Sequence, residues 1–167
     1  MQIAWAAYGE VGSCLAVEAH LVCPADFVIP AAATRIHRIS TATAESDGKP
    51  LGWVIERLLR AVEEHGRVLV GHNVAFDRNV VAAEMYRLGY PSEAVEKGLR
   101  GRRHLCLMRA TAAFCRLPGR FGKAKYPTLA QLHRKLFGKE FQGCHRALAD
   151  VEASARCFFR LRELGVI

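Results

Sequence analysis

Apolar positions along this chain of 167 residues change period several times. Gln2 to Tyr8 and Cys14 to Val22 read as strands, joined through Gly9-Glu10-Val11-Gly12, a hairpin signal. Phe27-Val28-Ile29, just before Pro30, suits a third short strand, and Pro30 to about Ile39 reads as a helix. Thr41 to Lys49 is polar and holds Asp47-Gly48, which predicts a loop or turn. From Pro50 to His65 the apolar residues fall at 51, 54, 55, 58, 59 and 62, the spacing of a helix with one buried face. Val68 to Val70 is a short apolar strand, broken by Gly71-His72-Asn73, and helical spacing resumes from Val74 to Leu88. Further helices are expected over Leu107 to Leu117, from Pro127 or Thr128 to Phe137, and from about Arg146 to Leu164, with Pro118 to Tyr126 as loop. Strands first and helices later, with one strand-loop-helix unit between, indicate a mixed α/β sandwich.

Composition narrows the class. Hydrophobic residues make up 51% of the chain, enough for one packed core, which excludes disordered and low-complexity scaffolds. The expectation is a single domain over residues 1–167. No apolar run approaches the roughly 18 residues of a membrane span. The N-terminus lacks the basic and long apolar parts of a signal peptide, so a cytoplasmic location without a membrane partner is expected. Cysteines stand at 14, 23, 106, 115, 144 and 157 without a Cys-x-x-Cys pair, a spacing that suits reduced, buried thiols better than zinc or disulfides.

Charge is unevenly placed. The net charge is +8, yet Lys97 to Lys139 alone holds twelve Lys or Arg and no acidic residue. Such a block favours a phosphate-rich partner through counterion release. Within it Arg100, Arg102, Arg103, Lys123 and Lys125 are the candidates for phosphate contacts, against the plainer reading of a solvated basic face.

Three segments carry candidate chemistry: Gly71-His72-Asn73-Val74-Ala75-Phe76-Asp77-Arg78, Tyr126 to Gly138, and His145-Arg146-Ala147-Leu148-Ala149-Asp150. Taken alone, Asp77 is an acid in a first helical turn, where the helix dipole favours it. Asp150 sits beside an apolar stripe, where a carboxylate is costly unless paired or bound to a metal. His145 converges with Asp150 only from the loop before the helix, because five residues along one helix lie about 140° apart.

Together, His72-Asn73-(x)₂-Phe76-Asp77 and His145-(x)₄-Asp150 resemble the second and third motifs of the DEDDh 3′→5′ exonucleases, a family that includes the proofreading subunit of bacterial replicative polymerases. Ile29-Pro30-(x)₃-Thr34-(x)-Ile36-His37 and Pro127-(x)-Leu129 extend the likeness. The resemblance implies an RNase H-like fold, a five-stranded mixed sheet flanked by helices. It also implies two-metal phosphodiester hydrolysis with Mg²⁺ or Mn²⁺ held by four carboxylates. Carried over, Asp77 and Asp150 are metal ligands and His145 is the general base. Asn73 and Phe76 shape the site near the terminal nucleotide. The implied partners are the 3′ ends of single-stranded DNA or RNA, a polymerase or nucleic-acid-processing complex, and a second copy in a homodimer.

The family's first motif, Asp-x-Glu on the first strand, has no counterpart here. The single Asp-x-Glu, Asp150-Val151-Glu152, lies in the last helix, where i and i+2 point about 200° apart. Aligned on the later motifs, Met1 falls where the family's second strand begins. The chain is therefore expected to be either an N-terminally truncated domain or a natural remnant, lacking the central strand and two of four carboxylates, which binds Mg²⁺ weakly and hydrolyses slowly or not at all. The alternative is a non-cleaving module of the same fold that binds nucleic acid or a protein.

Overall fold

The computed structural model describes residues 1–25, 27–119, 124–143 and 146–167. The described elements, in chain order, are β1 (Gln2–Tyr8), β2 (Cys14–Leu21), α1 (Ala31–His37), α2 (Thr41–Asp47), α3 (Leu51–His65), β3 (Leu69–Gly71), α4 (Val74–Arg87) and α5 (Ser92–Val95). A π-helical turn (Glu96–Arg100) follows, then β4 (His104–Cys106), α6 (Leu107–Ala110), α7 (Ala112–Cys115), β5 (Leu117–Pro118), β6 (Ala124–Lys125), α8 (Leu129–Phe137) and α9 (Ala147–Glu163). This is the expected mixed α/β, RNase H-like architecture.

Its sheet is divided. β1 pairs antiparallel with β2, and β3 pairs parallel with β4, but no ladder among the described residues joins β1 to β3. No continuous five-stranded sheet forms among the described residues. Alternation along β1 decides what each face touches. Ile3 and Trp5 point into a core with Val54, Ile55, Val81 and Met85 of α3 and α4. Gln2 and Tyr8 point to the other face and meet α9 at its two ends, Gln2 through Ala147 and Tyr8 through Phe159. A second core of Leu107, Cys115, Leu132, Cys157 and Leu161 lies under β3 and β4. Burial pushes the Cys157 thiol up to about 12 and raises that of Cys115 as well. The described cysteines are free thiols, but only Cys115 and Cys157 are buried, while Cys14 on the outer strand β2 is exposed, which corrects the expectation of buried thiols.

Four local expectations are corrected. Phe27-Val28-Ile29 forms no strand, because the Ile29 N–H donates to the Thr41 hydroxyl at 2.9 Å and Pro30 starts α1. Thr41 to Asp47 is helix rather than loop, because the Ser40 hydroxyl accepts the Thr43 N–H at 3.0 Å and Ala44 is fully buried. The Leu107 to Leu117 helix breaks at Thr111, whose buried hydroxyl donates back to the Leu107 carbonyl at 2.6 Å, a bond that bends helices. Part of Pro118 to Tyr126 is strand, with Leu117 and Pro118 opposite Lys125 and Ala124. The segment from Ser92 to Arg100 and strand β4 carry no periodic signal and emerge only from packing.

Candidate active site

The site begins where β3 stops. Gly71 ends the strand against Val74, and a Cβ on it would stand 3.1 Å from the Val74 Cβ. His72 and Asn73 then turn the chain into α4. Asn73 takes the left-handed conformation (φ 68°, ψ 37°), which Asn tolerates better than most residues, and its carbonyl accepts the Phe76 N–H at 2.8 Å. The turn places Asp77 in the first turn of α4 and leaves Phe76 with 62% of its surface exposed beside it.

Asp150 arrives from elsewhere in the chain. Gly143, in the left-handed region (φ 80°), accepts the Arg146 N–H at 3.0 Å, and the Arg146 carbonyl accepts the Asp150 N–H at 3.0 Å. The N-terminus of α9 has no side-chain cap from its own N-cap residue. Its Ala147 N–H instead donates to Gln2 Oε1 at 2.9 Å, a bond that spans almost the whole sequence. Asp77 and Asp150 thus each occupy the first turn of a helix, where the dipole favours negative charge.

The two carboxylates feel each other. The Asp77 carboxyl is held above the usual carboxylate range, first because protein atoms crowd it, although part of the side chain is exposed. Its own backbone N–H lowers it, and the charge on Asp150 raises it again. Crowding and like charge both disfavour the ionised form, and a cation between the groups would reverse the balance. A hard, oxygen-seeking divalent ion fits this pair. Among the described residues no cluster of three or more His, Cys, Asp or Glu surrounds it.

A family model described as RNase_T, exonuclease, matches residues 17–158. The chain belongs to this exonuclease family. Solved structures of E. coli Exonuclease I superpose on it. The complex with a dT13 oligonucleotide gives a TM-score of 0.78 at 21% identity over 98% of this chain and 38% of that one. The complex with a dA16 oligonucleotide gives 0.75 at 18% over 97% and 36%. The zinc-bound form of an Exonuclease I–single-stranded DNA complex gives 0.71 at 21% over 90% and 34%. The likeness establishes the RNase H-like fold, and the chain spans little more than a third of the length of these proteins. No curated protein matches the sequence.

Around the carboxylate pair of this exonuclease-family chain, the structure places the other expected residues unevenly. Asn73 and Phe76 flank Asp77 on the same turn. Arg78, next to Asp77 in the chain, donates to the Arg100 carbonyl and faces His104 Nδ1 at 2.9 Å, while the Arg100 guanidinium donates to Asn79 Oδ1 at 3.5 Å. Arg102 bonds the Lys97 carbonyl at 2.8 Å, while Arg103 is exposed beside it. Lys125 is exposed on β6, two residues before buried Pro127. His145 and Lys123 lie outside the described residues.

Two contributors escape a residue-by-residue reading. His72 Nε2 donates to the Pro127 carbonyl at 2.9 Å, which ties the β3–α4 turn to the entry of α8. Its other nitrogen, Nδ1, is buried without a partner among the described residues, and burial holds the imidazole below its usual pKa despite that bond. The neutral ring with its proton on Nε2 is the form that satisfies this geometry. Gln2, ordinary as the first residue of a strand, caps the helix that carries Asp150. The motif word His72-Asn73 is a signal for the first, but nothing local announces the second.

Proposed function

We propose that this chain is a 3′→5′ exonuclease domain acting on the 3′ end of single-stranded nucleic acid by metal-assisted phosphodiester hydrolysis. The observation that carries the reading is the convergence of Asp77 and Asp150 from two separate helices, close enough for one charge to raise the pKa of the other. Membership of the exonuclease family supports it, as do the oligonucleotide complexes of the structural neighbours. Mg²⁺ or Mn²⁺ is the proposed ion. When bound, such ions lower the pKa of water and offset charge on the leaving oxygen. Asp77 and Asp150 hold the cation side of the site. His145, two residues before α9 in the sequence, accepts the proton of the attacking water. Asn73 and exposed Phe76 position the terminal nucleotide. Arg100, Arg102, Arg103, Lys123 and Lys125 hold phosphates farther along the strand.

A polymerase or other nucleic-acid-processing complex, or a homodimer, is the proposed setting, and the match of an Exonuclease I–SSB-Ct complex shows that the same fold elsewhere takes a protein partner. A second reading, a binding module that does not cleave, is favoured by the pair of carboxylates standing without a third ligand among the described residues.

A 5′-labelled single-stranded oligonucleotide with Mg²⁺ or Mn²⁺ tests the proposal. Shortening from the 3′ end, abolished in Asp150→Ala, supports it. Retained, salt-sensitive binding without any shortening selects the module.

A further inference from the structure

The tip of the β1–β2 hairpin is apolar, exposed and fixed in place. The Gly9 N–H donates to the Ser13 carbonyl at 2.8 Å, and the Gly12 N–H donates to the Gly9 carbonyl at 3.0 Å. Gly12 takes the left-handed region (φ 87°), and a Cβ on it would stand 3.5 Å from the Phe159 ring, so the turn lies against that ring. Arg162 of α9 donates from Nη1 to the Glu10 carbonyl at 2.9 Å. These contacts hold the turn on α9 and leave Val11 with 93% of its surface exposed. A loose tip turns such a side chain inward, whereas this one is held out.

Beside the tip lies a groove of about 610 Å³. Its lining is largely aromatic. Tyr8 meets Phe159 edge to face with ring centres 5.6 Å apart, and Phe137 of α8 joins them. Val17 lies opposite Ala6, on the same face of the hairpin as Tyr8, and is half exposed. An exposed apolar surface of this extent marks a contact site. The charges on the groove decide between partners. Glu10 and Glu163 stand there with Arg156 and Arg160. Arg160 is already paired with Glu163 at 2.8 Å within α9. Glu10, its side chain 90% exposed, is paired with Arg67 at a distant 3.9 Å. Arg156 is exposed and forms no ion pair among the described residues. A phosphate backbone or an acidic peptide would meet Glu10 as a like charge. An apolar knob, an apolar hollow and an outlying charge of each sign on one surface instead complement a second copy of that surface.

We propose that this groove is the two-fold interface between two copies of the chain. Val11 of each protomer enters the aromatic groove of the other, and Glu10 of each faces the partner's Arg156. A two-fold axis makes each of these contacts twice. The turn is already ordered, so little conformational freedom is lost on contact. Phe159 stands nine residues beyond Asp150 on α9, about 13 Å along the helix and on its opposite side. The interface therefore leaves the Asp77–Asp150 pair open in both protomers. It gives the homodimer of the proposed function its surface and rests on that part of the reading, not on hydrolysis.

Sedimentation over a concentration series tests it. The protein should form a species of twice the mass of one chain. Val11→Asp, Glu10→Arg and Arg156→Glu should each raise the dimer dissociation constant by about tenfold or more. All three positions are exposed, and an unchanged far-UV circular dichroism spectrum checks that each variant is folded. Glu10→Arg combined with Arg156→Glu in one chain should return the dissociation constant to within about threefold of the parent, because the axis pairs the swapped charges again. A parent that stays monomeric at every concentration overturns the proposal. So does a dimer indifferent to the single variants, or a double variant no better than either single one. Weaker oligonucleotide binding by Val11→Asp in a monomeric protein would assign the groove to nucleic acid and reject the interface. A monomer that still shortens an oligonucleotide removes the interface alone, and a dimer that shortens none removes hydrolysis alone.

Discussion

At Asp77, the proposed metal-binding role and stability pull in opposite directions. Its carboxylate is crowded and faces a second negative charge, so the ionised form that a metal needs is the form that the fold disfavours. Asp77→Asn should raise Tm at pH 7 by a few degrees while lowering metal-dependent hydrolysis by about a thousandfold or more. Mg²⁺ should raise Tm of the parent protein and leave that of Asp77→Asn unchanged, because a ligand stabilises only a fold that binds it. Thermal melts with and without the ion check both. His72 gives a separate pH signature. Its folded-state pKa lies below the unfolded value, so the unfolded chain takes up more protons as pH falls. Stability from this residue is full above its ordinary value of about 6.5 and is lost as pH drops below that point. In His72→Gln, urea midpoints should fall less between pH 7 and pH 5 than in the parent, and parallel curves would contradict the buried neutral ring.

Among the elements, the helices that carry the site are held by contacts of very different range. α8 is stopped and started locally: Thr128 and Gln131 close a capping box, with Thr128 Oγ1 accepting at 3.2 Å and Gln131 Oε1 at 2.9 Å, and Gly138 takes the left-handed cap at its end. Thr128→Ala should cost about 1 kcal/mol in chemical denaturation. α9 has no such word at its start and borrows Gln2 from β1. Gln2→Ala should cost a similar amount, about 1 kcal/mol, and also reduce turnover, since the helix that presents Asp150 loses its tether. The same contrast explains which elements can be read in advance. α3, α8 and α9 have long apolar stripes and were legible. The Ser40–Asp47 helix hides among turn-forming residues, and the three-residue strand β4 is too short for any period to show. Phe27-Val28-Ile29 has the residue types of a strand, but a side-chain hydroxyl takes its N–H instead.

At the scale of the whole molecule, Arg100, Arg102 and Arg103 of the positive block lead directly into β4. Arg78 links Asp77's helix to Arg100 and His104, and Arg102 and Arg103 follow directly in the chain. For single strands the slope of log binding constant against log salt is about −0.7 per neutralised phosphate. Replacing Arg100 and Arg103 by Ala should therefore shallow the slope by about 1.4 for a poly-dT oligonucleotide, and an unchanged slope would remove both from the strand path. No described helix is long and apolar enough to cross a membrane. The sequence by itself determined the fold class and offered Asp77 and Asp150 as candidates, because periodicity and motif spacing are properties of neighbouring residues. Tertiary structure alone decided that Asp77 and Asp150 share one electrostatic field, that Gln2 holds the start of α9, and that the β1–β2 turn and the end of α9 line one groove. Those are contacts between residues far apart in the chain, and their energies depend on burial and distance, which no local pattern records.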